Sequence, residues 1–216
     1  MSDDRRSLRS ILIPLIVFGV AFGYLEAAVV IYIRRIFFPE GFRFPILVPP
    51  NAYALVELLR EAATLIMLWA AASLAGRSRW ERFGWFAFLF GVWDVVFYAG
   101  LFAVLRWPES LLTWDILFLI PLVWAGPVLA PLLVSVLLVS GGAALAVRKR
   151  RGRPVRVRPF DWALGAAGVL LMLGSFMTNH GVLVAGGIPE RFPWAFFVAG
   201  WLAAAGAGVR VLRTKQ

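Results

Sequence analysis

The chain has no cysteine and a single histidine, His180, among its 216 residues. Disulfides, zinc thiolates, iron–sulfur clusters and thiol nucleophiles are therefore excluded. Haem and copper sites need more His, Cys or Met than this chain arranges on facing helices. It has no Glu-x-x-His pair of the di-iron bundles and no Gly-rich phosphate loop. Ser175 and His180 lie too close in sequence to form the facing pair of an intramembrane serine protease. Charge is also scarce: 16% of residues are charged, against about 25% in a soluble domain. By contrast, 61% are hydrophobic and the mean hydropathy is +0.81. No water-soluble fold of this size hides so much apolar surface, so part of the solvent is lipid.

Six apolar runs are long enough to cross a bilayer: Ile11–Ile33, Ala52–Leu74, Phe83–Leu105, Val128–Val147, Trp162–Asn179 and Trp194–Val209. At 1.5 Å per residue the first spans about 34 Å, against a hydrocarbon core of about 30 Å. Backbone in lipid must satisfy its own hydrogen bonds, so each run is expected to be a helix. The reading is an all-α, polytopic transmembrane bundle forming a single integral membrane domain over residues 1–216. No repeat of solenoid length is visible, and the connecting loops are too short for a soluble domain.

The apolar stretch from Leu111 to Val147 is too long for one crossing, and Pro121, Pro127 and Pro131 interrupt it. It divides into a re-entrant or interfacial piece, Leu111–Gly126, and a span from about Val128. The basic residues support this division. With the N-terminus inside, the inner segments hold 16 Lys and Arg residues, seven of them between Arg148 and Arg158. The last inner segment holds Arg210, Arg213 and Lys215. The outer segments hold five: Arg34, Arg35, Arg43, Arg106 and Arg191. The positive-inside bias then places both termini in the cytoplasm of a bacterial inner (plasma) membrane. A cleaved signal peptide, with Arg5–Arg9 as its basic region, is disfavoured because the apolar run continues to Ile33. The net charge of +10 fits topology and anionic lipid headgroups at the cytoplasmic face rather than nucleic acid.

The informative residues are ionisable groups inside these runs. Glu26 lies in the first, Glu57, Arg60 and Glu61 in the second, Asp94 in the third and Asp115 in the re-entrant piece. An acid at the bilayer centre costs about 2.5–3.5 kcal/mol. Five acids facing lipid would cost on the order of 10–15 kcal/mol, comparable to the whole stability of a domain. Glu26, Glu57, Arg60 and Glu61 sit in the outer halves of their spans, Asp94 lies near the middle of the third and Asp115 follows the outer loop, while the inner halves look almost uncharged. Helical phase agrees, since Gly19, Gly23, Glu26, Ala27 and Val30 share one face. Glu57, Arg60, Glu61 and Thr64 form a stripe, as do Ala87, Gly91, Asp94 and Tyr98. The expectation is one outward-facing pocket lined by Glu26, Arg34, Glu57, Arg60, Glu61, Asp94 and Asp115. The fifth and sixth spans, rich in Gly and Ala, read as packing helices.

A purely structural account pairs Glu57 with Arg60 at i, i+3 and Glu26 with Arg34 or Arg35. Five acids against three arginines at that depth still leave a formal −2, requiring protons or a cation. A hard divalent cation on Glu57, Glu61, Asp94 and Asp115 is compatible with such ligands. The Trp93-Asp94 and Trp114-Asp115 pairs read as aromatic-belt residues that coincide, or else as two Asp side chains entering the pocket. His180 reads as an exposed loop histidine. Three functions remain open: binding or relay of protons, a cation or a small polar solute; a membrane enzyme with a carboxylate-bound metal or acid–base groups; and an accessory subunit among membrane partners.

Overall fold

The structure, a computed structural model, describes residues 2–45, 51–119 and 122–213. Pro121 and Lys215, used in the sequence reading, fall outside them. Helix α1 covers Ser2–Phe37, α2 Asn51–Ala75, α3 Arg79–Leu105, α4 Leu129–Arg150, α5 Pro159–Met177, α6 His180–Val184 and α7 Trp194–Arg213. Among the described residues six helical segments are long and apolar enough to cross a membrane, with α5 and α6 together forming the fifth. This is an all-α bundle and a multi-pass membrane protein.

The piece between α3 and α4 is a β-hairpin, a shape that its apolar pattern did not announce. Strand β1 (Trp114–Phe118) pairs antiparallel with β2 (Trp124–Pro127). Backbone away from water must find partners, and here much of the pairing is local. The strands pair with each other, Val128 N–H donates to Thr113 O at 3.0 Å, and Leu129 N–H donates to Leu111 O at 2.8 Å. At the hairpin tip, side chains complete the pairing. The Glu61 carboxylate accepts the Leu119 N–H at 2.9 Å, and His180 Nδ1 accepts the Val123 N–H at 3.2 Å. His180 is thus the half-buried first residue of α6 and not an exposed loop residue.

Small residues set the helix packing. Helix α3 touches α1, α2 and α4, while α5 pairs with α7. Lipid is as apolar as a leucine, so close backbone approach and dispersion replace the hydrophobic effect between spans. A Cβ on Gly23 would lie 2.7 Å from the Trp93 carbonyl, and one on Gly142 only 2.6 Å from the Gly84 carbonyl. Gly168 and Gly200 face each other in the same way across α5 and α7. The Gly19/Gly23 face of α1 therefore rests on α3, which carries Glu26 toward the interior.

Opposite the hairpin, the bundle end is not bare of charge. Glu81 is buried and accepts from Arg150 Nε at 2.5 Å, from the Arg77 N–H at 3.0 Å and from Trp85 Nε1 at 3.4 Å. Asp161, also buried, pairs with Arg210 at 2.7 Å. Both acids stand one or two residues outside the apolar runs, where a hydropathy reading stops counting. Ser78 caps α3, its hydroxyl accepting from the Glu81 N–H at 3.3 Å.

Candidate functional site

The seven side chains singled out above line one cavity of about 280 Å³ at the hairpin end. α1 supplies Glu26 and Arg34, α2 supplies Glu57, Arg60 and Glu61, α3 supplies Asp94, and β1 supplies Asp115. Both Asp residues of the Trp-Asp pairs line the cavity. Trp93 does too, whereas Trp114 packs against Phe192 with ring centroids 6.1 Å apart.

Their partners differ from the pairing expected. Arg34 bonds Asp115, not Glu26: Nη2 donates to Oδ1 at 2.8 Å across 81 residues of sequence. Glu26 pairs with Arg60 and also accepts from the Thr64 hydroxyl at 2.8 Å. Arg60 holds Glu57 as well, at 2.8 Å, as the i, i+3 spacing suggested. Asp94 accepts from the Ser135 hydroxyl of α4 at 2.7 Å. Asp115 additionally accepts from Tyr98 Oη at 3.2 Å and from the Ile116 N–H at 3.0 Å. Asp115 lies on the hairpin, outside the spanning helices. Its burial pushes the carboxyl up from the ordinary carboxylate range, against the pull of Arg34, Tyr98 and Ile116.

The Arg34 guanidinium lies against two rings set edge to face, 3.7 Å from the Trp107 ring centroid and 4.1 Å from that of Phe42. Such stacking suits a planar, weakly hydrated cation far better than it would suit lysine. Arg35 is exposed and does not line this cavity. The balance is therefore five carboxylates against two guanidiniums, a formal −3 rather than −2. Among the described residues no group of three His, Asp or Glu side chains converges as a metal site. Of the four acids considered as metal ligands, Glu57 is held by Arg60, Glu61 by the Leu119 N–H, Asp94 by Ser135, and Asp115 by Arg34 and Tyr98.

The rest of the lining is largely aromatic. Ten Phe, Trp and Tyr side chains contribute, among them Phe42, Phe90, Trp93, Phe97, Phe118 and Trp124. Phe176, Leu183 and Val184 close another side, so the fifth span does more than pack. Trp93 Nε1 and Trp124 Nε1 are buried with no hydrogen-bond partner among the described residues. In a chain with 10 Trp and 18 Phe, only Trp93 and Tyr98 were marked in advance, by their positions beside and one turn from Asp94. No protein-family model, curated protein or solved structure matches the chain.

Proposed function

We propose that this is a bacterial inner-membrane protein, with both termini cytoplasmic, whose outward-end cavity binds an organic cation with an apolar body. The observation that carries the reading is the conjunction of a formal −3 with aromatic walls in one cavity of about 280 Å³. A unit charge about 4 Å away is worth about 4 kcal/mol at an effective dielectric near 20. An aromatic face adds about 0.5–2 kcal/mol to a bound cation. Charge thus selects the sign of the ligand, and the rings select a bulky, weakly hydrated ion over a compact hydrated one. The scattered carboxylates favour a diffuse organic charge over a metal ion, which needs converging oxygens.

Binding is favoured over passage. The opposite end is tied shut by the buried Glu81–Arg150 pair, and Arg150 also donates to the Ala75 carbonyl at 3.0 Å, joining α2, α3 and α4. The Arg148–Arg158 segment then lies against anionic headgroups on the cytoplasmic side. Calorimetric titration of the purified protein with tetraphenylphosphonium and with benzyltrimethylammonium tests the reading. Saturable binding is expected, weakened about tenfold in Asp94→Asn, which removes one charge and keeps a hydrogen-bonding group beside Ser135. Absence of saturable binding by either probe, or unchanged affinity in the variant, refutes it.

A further inference from the structure

A second cavity, of about 190 Å³, opens beside the first, and its electrostatics are reversed. Arg34, Arg35, Arg43 and Arg106 line it, with Glu109 as the single acid and Trp107 as part of the wall. Even with Arg34 assigned wholly to Asp115, three guanidiniums face one carboxylate. Arg43 and Glu109 meet at only 3.6 Å and are largely exposed, so that contact neutralises little.

Three further observations indicate that these cations serve a ligand. First, few basic residues stand at this end of the bundle, yet four of the five at its helix ends and loops gather here. Second, two buried donors in the lining have no partner among the described residues: Nη1 of Arg34, 6% exposed, and Nε1 of Trp107, 8% exposed. A buried donor without an acceptor is costly. Third, Arg106 occupies the C-cap of α3 at φ 54°, in left-handed backbone that favours Gly or Asn. An arginine there gives up backbone comfort and gains a guanidinium in the basin.

We infer that this outer basin binds a phosphate-type oxyanion, whether carried on a lipid headgroup or free in solution. Guanidinium groups match phosphate oxygens in charge and fork geometry, and several on one concave wall select a multivalent or multi-oxygen anion. The inference does not rest on the nature of the guest in the acidic cavity, although the two chambers share Arg34.

Two arms separate the sources. Inorganic phosphate is titrated calorimetrically into the purified protein, and retained lipid is counted by native mass spectrometry after incubation with phosphatidylglycerol vesicles. Each arm is repeated with Arg35→Gln and with Arg106→Gly. The glycine suits the left-handed position, so that variant stays folded while losing the charge. Either variant is expected to bind about tenfold more weakly. Loss in both arms supports a general phosphate site, and loss in the lipid arm alone assigns it to a headgroup. No binding in either arm, or binding equal to that of the unaltered chain in both variants, overturns the inference. Arg153→Gln, on the opposite end, controls for headgroup contacts elsewhere.

Discussion

At the scale of single residues, Arg34 carries the heaviest consequences. It is 6% exposed, its partner Asp115 is 1% exposed, and the two join α1 to the hairpin. Removing one member of such a pair leaves a charge buried without compensation, which costs about 3–5 kcal/mol. Arg34→Ala is therefore expected to lower the unfolding midpoint sharply, and Arg34→Ala with Asp115→Asn to recover part of the loss. A double-mutant cycle in detergent checks this, and additive effects would contradict the coupling. The acids themselves were legible because an ionisable group in an apolar run violates its solvent. Their partners were not. Asp115 finds Arg34 across 81 positions and Asp94 finds Ser135 across 41, and no local pattern encodes such distances. The spacing of Glu57 and Arg60, by contrast, was a local fact and held.

Elements tell a similar story with a different boundary. The spans were readable because hydropathy sums over some twenty residues and drowns local noise. The hairpin was not, because Trp114–Phe118 is apolar in either a helix or a strand and its pairing depends on β2. What holds the helices together is steric, and neighbouring glycines separate the effects. Gly142 faces the Gly84 carbonyl at 2.6 Å from a built Cβ, whereas a Cβ on Gly141 meets nothing within 4 Å. Gly142→Leu is expected to destabilise the fold by about 1–3 kcal/mol through overpacking. Gly141→Ala is expected to be neutral or to stabilise by up to about 1 kcal/mol through helix propensity. Unfolding of both variants by denaturing detergent measures the contrast. Equal effects at the two positions would show that α3–α4 packing is looser than described.

For the whole molecule, the arrangement has two unlike ends. One carries the hairpin and both cavities; the other carries the buried Glu81–Arg150 pair and the pair of buried Asp161 with exposed Arg210. The absence of cysteine makes the orientation directly measurable, since one introduced thiol gives an unambiguous signal. Glu40→Cys and Glu190→Cys are expected to react with a membrane-impermeant maleimide in intact cells. Arg153→Cys is expected to react only after the membrane is opened. The reverse pattern would invert the proposed topology and place both cavities in the cytoplasm.

Arg34 borders the acidic cavity and the basic one alike. Two guests that each feel the same guanidinium cannot be indifferent to one another. If filling the basin draws Arg34 away from Asp115, the freed carboxylate strengthens the hold on a positive guest next door. That guest must then favour filling of the basin by the identical factor, as reciprocity of binding free energies demands. One side chain between two chambers is enough to make them a thermodynamic pair.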